Sequence, residues 1–171
     1  TAKNILITGS PGSGKTTLID KIAGKLPAQR PAGFYTQEIR QGGTRRGFEA
    51  ISFDNTRMIL AHTDIGGSFR LGKYGVDVEG FDRFLEQIDI IGAAGELIVI
   101  DEIGKMECFS ARFRQLVTKA LDSDRVVIAT VAEKGGSFIE EVKKRPDISL
   151  IQLTSRNRDQ LVDDVLRLLS L

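Results

Sequence analysis

Two rhythms of apolar residues alternate along the chain. Short unbroken apolar runs at Asn4 to Thr8, Leu97 to Ile100, Val126 to Val131 and Ile148 to Leu153 predict strands, the first two buried on both faces. Between them, apolar residues fall three and four apart. Leu18, Ile19, Ile22, Ala23 and Leu26 predict a helix over Lys15 to Leu26 that Pro27 stops. Phe81, Phe84, Leu85, Ile88 and Ile91 predict a second, ended by Gly92 to Gly95. The same spacing predicts helices over Phe109 to Leu121, Phe138 to Lys144 and Asp159 to Leu169.

One region breaks the alternation. Phe34 to Gln41 and Arg46 to Phe53 read as two strands about the Gly42-Gly43-Thr44 turn, followed by a short strand at Met58 to Ala61. Asp64 to Gly75 has no period and reads as an ordered loop. Buried strands alternating with amphipathic helices imply an α/β fold: a mostly parallel sheet with helices on both faces and an antiparallel hairpin insert. With 171 residues and no linker or repeat, the chain reads as a single domain over residues 1–171.

Composition changes this picture little. The formal charge of +1 argues against a nucleic-acid footprint, which needs a clear excess of Lys and Arg. No apolar run approaches a membrane span, and the N-terminal apolar stretch is too short for a signal peptide. The single cysteine, Cys108, excludes an internal disulfide and suits a reducing cytoplasm; it reads as a small packing residue. A cytoplasmic monomer, with no nucleic-acid or membrane partner, is the expectation.

The chemistry begins where the first strand meets the first helix. Gly9, Ser10, Pro11, Gly12, Ser13, Gly14, Lys15 and Thr16 spell the phosphate-loop pattern in the strand-to-helix context it requires. Glycines at 9, 12 and 14 let the backbone curl around phosphate oxygens, and the helix aims free N–H groups at the anion. Lys15 is placed to reach the β- and γ-phosphates, Thr17 to add to the cradle, and Thr16 to put its hydroxyl on Mg²⁺. The expected ligand is a nucleoside triphosphate.

Asp101 and Glu102 follow the strand Leu97 to Ile100, at the edge where open parallel sheets bind ligands. Asp101 is the second expected Mg²⁺ residue. Glu102 is placed to orient or deprotonate a water, which favours hydrolysis. Lys15 and Glu102 are therefore the expected catalytic residues. Other features read two ways. Among Arg40, Arg45 and Arg46 an arginine finger is one reading and solvated hairpin charges the other. Lys105 and Glu107 either extend the site or belong to a surface loop. Asn157-Arg158-Asp159 either contacts the base or places Asn157 as the cap of the last helix, and His62 reads as a surface residue.

Rival classes share this cradle. A signalling GTPase fits Asp101-Glu102-Ile103-Gly104 but lacks an Asn-Lys-x-Asp guanine reader. A nucleotide or nucleoside kinase suits the size, although no acceptor-site signature is visible. A non-enzymatic nucleotide-sensing adaptor would keep the pocket without turnover.

Beyond these readings, the chain resembles the small P-loop nucleoside triphosphatases, also called cancer-related nucleoside triphosphatases. The resemblance spans nearly the whole chain. It rests on Gly9 to Thr17, Gly33 to Arg40, Gly43 to Phe48, Gly72 to Val78, Val99 to Glu107 and Asn157-Arg158-Asp159. It implies slow Mg²⁺-dependent hydrolysis of ATP, GTP and other nucleoside triphosphates on a nucleotide-kinase-like fold. Lys15, Thr16, Asp101 and Glu102 would carry the roles given above. Cys108 stands where such proteins are expected to have Leu.

Overall fold

The computed structural model describes residues 3–25, 31–93, 95 and 97–168. The first strand, β1 (Asn4–Thr8), is buried at every position because it lies between two parallel neighbours, β8 (Val126–Val131) and β9 (Ile148–Gln152). That placement explains its unbroken apolar run. Leu6 faces one hydrophobic cluster while Ile5 and Ile7 face another, as the two-residue period of a strand requires. Helices α1 (Lys15–Lys25) and α5 (Leu161–Leu168) cover the Ile5 side through Leu18, Ile19, Ile22, Leu161 and Val165. The end of the first predicted helix and its Pro27 stop lie outside the described residues, as does Leu169.

The other face is covered by α2 (Val78–Ile88), α3 (Ala111–Asp122) and α4 (Ser137–Lys143). Phe34, fully buried, sits at its centre with Phe81 and Phe113 edge-on at 5.6 and 6.0 Å between ring centroids. Two capping groups set boundaries that periodicity alone misplaced. Asp77 accepts from the Gly80 N–H and starts α2 before Phe81, and Asp89, at φ 40°, ends it before the glycines at 92 to 95. Ser110 likewise caps α3 by accepting from Phe113 N–H, so that helix begins after a 3-10 turn at Glu107–Phe109.

Among the described residues, nine strands form one sheet. Its parallel part runs β2 (Ala32–Gln41), β7 (Leu97–Ile103), β8, β1, β9. Its antiparallel part continues from β2 through β3 (Thr44–Ser52), β4 (Arg57–His62), β6 (Tyr74–Val76) and β5 (Arg70–Leu71). The α/β architecture is the expected one, with a hairpin that is an extension of the sheet, since β2 pairs with β7 at one end and with β3 along its length. Gly33 permits that junction: with φ 126°, its position is so tight that a Cβ would lie 1.8 Å from the Val99 carbonyl oxygen. The expected loop at Asp64 to Gly75 contains the small β5–β6 hairpin, which brings Tyr74 into the interior. Strands of two and three residues are too short to display a period.

No helix among the described residues is long and apolar enough to cross a membrane. His62 is half-buried, its Nδ1 accepting from the Asp64 N–H at 3.0 Å; the surface reading is corrected accordingly.

Candidate active site

The loop from Gly9 to Gly14 joins β1 to α1, and the backbone takes positive φ at Gly12 (77°) and Gly14 (97°). A side chain at either position would be strained, which is the conformational reason for glycine there. At Gly9 the reason is space, because a Cβ would meet Ser13 Oγ at 2.8 Å and the Leu153 carbonyl oxygen at 3.1 Å. The Lys15 ammonium crosses the loop, donating to the Gly9 carbonyl at 3.1 Å. Thr16 and Thr17 lie exposed in the first turn of α1, where backbone N–H groups are free to bind an anion. The loop is therefore a concave, donor-lined turn.

Two strands away, β7 carries the acids. Asp101 and Glu102 lie within the strand, which continues to the buried Ile103, rather than after it as the sequence suggested. The β7–β8 register shifts between Ile100 and Ile103, across the cis Asp101–Glu102 peptide. Asp101 is 2% exposed, and Thr130 of β8 donates its hydroxyl to Oδ1 at 2.7 Å. Oδ2 is buried without a hydrogen-bond partner among the described residues. Burial pushes the Asp101 carboxyl up to about 6; the Thr130 and Thr16 hydroxyls pull it down less than desolvation raises it. Glu102 faces the loop, its Oε2 3.2 Å from Lys15 Nζ. The lysine and the carboxylate, 87 positions apart in the chain by their numbering, thus meet across the phosphate cradle.

A cavity of about 650 Å³ opens beside this pair. Glu107 and Lys105 both line it. Glu107 is 5% exposed, and burial, with the negative Glu102 and Asp101 nearby, raises its carboxyl well above the ordinary range. Of the three hairpin arginines, only Arg45 lines the cavity. Its Nε donates to the Tyr74 hydroxyl at 2.9 Å and its Nη1 to Glu38 at 3.2 Å, and its guanidinium lies 5.2 Å from the Phe48 ring centre. Arg40 instead spends its donors on Glu38 and the Gly43 carbonyl.

The Asn157 side chain does not cap α5. Its Oδ1 accepts from Thr154 N–H at 2.8 Å and its Nδ2 donates to the Gln152 carbonyl at 2.7 Å, so the amide holds the turn between β9 and α5. That turn brings the neighbouring Arg158 beside the phosphate loop, its Cδ 3.5 Å from where a Gly14 Cβ would be. Sequence reasoning missed Thr130 and Tyr74, whereas Arg158 lies in the Asn157-Arg158-Asp159 segment it had placed at this edge. Thr130 carries no motif, and its role follows only from β8 lying between β1 and β7. Cys108 is half-buried against the core as expected, and burial, with Glu107 adjacent, pushes its thiol up to about 12.

Comparison with known proteins accords with this geometry. A family model described as NTPase matches residues 4–166. The nucleoside-triphosphatase THEP1 of Thermotoga maritima is 42% identical over 166 residues, covering 96% of this chain and 94% of that protein. The human cancer-related nucleoside-triphosphatase is 35% identical over 180 residues, covering 96% and 95%. The crystal structure of THEP1 from the hyperthermophile Aquifex aeolicus superposes with a TM-score of 0.87 at 36% identity, covering 96% of this chain and 98% of that one. The solution structure of a human cancer-related nucleoside triphosphatase gives 0.83 at 33% identity, covering 98% and 97%.

Proposed function

The chain belongs to the NTPase family and is a nucleoside-triphosphatase, and we propose that it hydrolyses the terminal phosphoryl bond of ATP, GTP and other nucleoside triphosphates with Mg²⁺ as cofactor. The observation that carries this reading is the 3.2 Å approach of Glu102 to Lys15. It supports the reading of Glu102 as a carboxylate base beside the phosphate-binding ammonium.

In this account the backbone from Gly9 to Thr17, including Ser10, Pro11 and Ser13, wraps the phosphates, and Lys15 turns from the Gly9 carbonyl and Glu102 to their oxygens. Released from its ion pair, Glu102 accepts a hydrogen bond from a water in line with the γ-phosphorus and takes its proton as the P–O bond forms. Orientation and charge, rather than covalent chemistry, lower the barrier.

Asp101 and Thr16 suit a hard cation. The carboxylate is buried with Oδ2 unpartnered, and the Thr16 hydroxyl is close enough to pull its titration down. Among the described residues no group of three or more His, Cys, Asp or Glu side chains is poised to hold a metal. Mg²⁺ takes one or two protein ligands and completes its shell with phosphate oxygens and water. When bound, the ion neutralises charge on the phosphates. Thr130 fixes the orientation of Asp101 meanwhile.

Loose base selectivity is in keeping with Asn157, whose Oδ1 and Nδ2 each make a hydrogen bond within their own turn. The test is phosphate release from ATP, GTP, CTP and UTP, with Mg²⁺ and with EDTA. Release from all four that stops on chelation is expected. Tight nucleotide binding with no release above buffer would instead establish the adaptor reading.

A further inference from the structure

Hydrolysis as described leaves one cation at the phosphate loop without a task, Arg158. Sheet order sets its place. β7, which carries Glu102, and β9, which leads to Arg158, lie on opposite sides of β1 and the loop that follows it. Three strand spacings separate β7 from β9, about 14 Å, the scale of an extended nucleoside triphosphate. With the γ-phosphate at Lys15 and Glu102, the rest of such a ligand runs over the first turn of α1 toward the β9 side. Arg158 stands on that flank and is not among the walls of the cavity beside Glu102.

The segment bearing Arg158 is fixed against the loop. The Leu153 N–H donates to the Thr8 carbonyl at 2.7 Å, and the Leu153 carbonyl oxygen lies 3.1 Å from where a Gly9 Cβ would stand. Farther along, Arg158 Cδ comes within 3.5 Å of the corresponding point on Gly14, so the arginine stem packs against the loop. Between these contacts the turn is closed by the Asn157 amide and by the Arg158 N–H, which donates to the Thr154 carbonyl at 3.2 Å. Arg158 itself is exposed. Arg145 and Arg167 lie within ion-pair distance of carboxylates, whereas Arg158 has no such pair among the described residues. A braced turn thus presents an uncommitted planar cation beside the phosphate cradle.

We propose that the Arg158 guanidinium lies flat against the nucleobase and holds it by its face. A guanidinium plane stacks on aromatic rings, and every base presents a π-face, so the contact serves purines and pyrimidines without reading their edges. Phosphate binding is the competing use of the same charge. The loop N–H groups and Lys15 already serve the phosphates, which leaves the base as the part of the ligand still lacking a partner. This inference rests on the nucleotide site assigned above and names how that site accepts bases of every kind.

Calorimetry of the full chain with Mg²⁺ tests it, with Kd measured for ATP, GTP, CTP, UTP and inorganic tripolyphosphate. Arg158→Ala should raise Kd for all four nucleotides by about 5–150-fold, the usual worth of one base stacked on one side chain, and for tripolyphosphate by less than about twofold. Arg158→Tyr, planar but uncharged, should recover most of the nucleotide affinity; Arg158→Lys, charged but not planar, should not. An equal loss for tripolyphosphate would make Arg158 a phosphate ligand and overturn the proposal. So would nucleotide binding by the Lys variant as tight as that of the unmodified protein, a loss confined to one base, or no loss. Binding is read here without turnover. Absence of phosphate release from the unmodified protein would therefore count against the hydrolysis reading alone, so the two failures are distinguishable.

Discussion

Replacing Thr130 by Val isolates the hydrogen bond that holds Asp101. The residue is fully buried on β8, opposite Ile7 of β1, and Val keeps its branched shape while removing the hydroxyl 2.7 Å from Asp101 Oδ1. Oδ2 makes no hydrogen bond among the described residues, so in the variant only the nearby Thr16 hydroxyl still favours the charged carboxylate. At about pH 8, above the Asp101 value of about 6, the group is charged, and a hydrogen bond to a charged group contributes about 1.5–3 kcal/mol. For a chain of this length that corresponds to a fall in Tm of about 3–12 °C. In an Asp101→Asn background the bond is neutral, and the same replacement should cost only about 0.5–1.5 kcal/mol. Urea unfolding of the nucleotide-free protein, followed by circular dichroism, measures both. Equal costs in the two backgrounds, or a Thr130→Val cost below about 0.5 kcal/mol, would refute the reasoning. On the proposed role of Asp101, the Mg²⁺ concentration for half-maximal phosphate release should also rise about 10–100-fold, the usual effect of removing a group that orients a metal ligand.

Gly33→Ala should abolish the stable fold, because its Cβ would fall 1.8 Å from the Val99 carbonyl at φ 126°; a loss above about 4 kcal/mol is expected by thermal unfolding, and a near-wild-type Tm would contradict the junction described. Cys108 should alkylate at least about 100-fold more slowly in the native protein than in denaturant at about pH 8.5, since its folded thiol is raised to about 12 and little of it ionises. The stability this raised value contributes is full below the unfolded thiol's pKa and is lost as pH rises through the folded one, so unfolding should become easier in strong alkali. Asn157→Ala should raise the KM values for ATP and GTP by the same factor within about twofold, because the residue holds a turn; a change confined to one base would restore it as a base reader.

Much of this was legible because its signals are local. The cradle from Gly9 to Thr16, the strand bearing Asp101 and Glu102 and the amphipathic helices each declare themselves within a dozen residues. The hairpin's place was harder, since the parallel pairing of Ala32 to Phe34 with Ile98 to Ile100 joins distant segments. The β5–β6 hairpin was invisible for want of length, yet it supplies Tyr74, the residue that selects Arg45 from its neighbours. Helix ends moved where one side chain or one left-handed residue decides them, as at Asp77 and Asp89. Glu107 lay within a quoted motif, but that its carboxyl is buried beside Glu102 depends on the turn that follows β7.

Glu102→Gln tests the central claim most directly, with nucleotide affinity and phosphate release measured on the same preparation. Glutamine keeps the shape and a neutral polar group near Lys15 but cannot take a proton. The account predicts nucleotide binding close to that of the unmodified protein and release slowed by about 10²–10⁴. Release at the unmodified rate would contradict it and remove Glu102 from the mechanism.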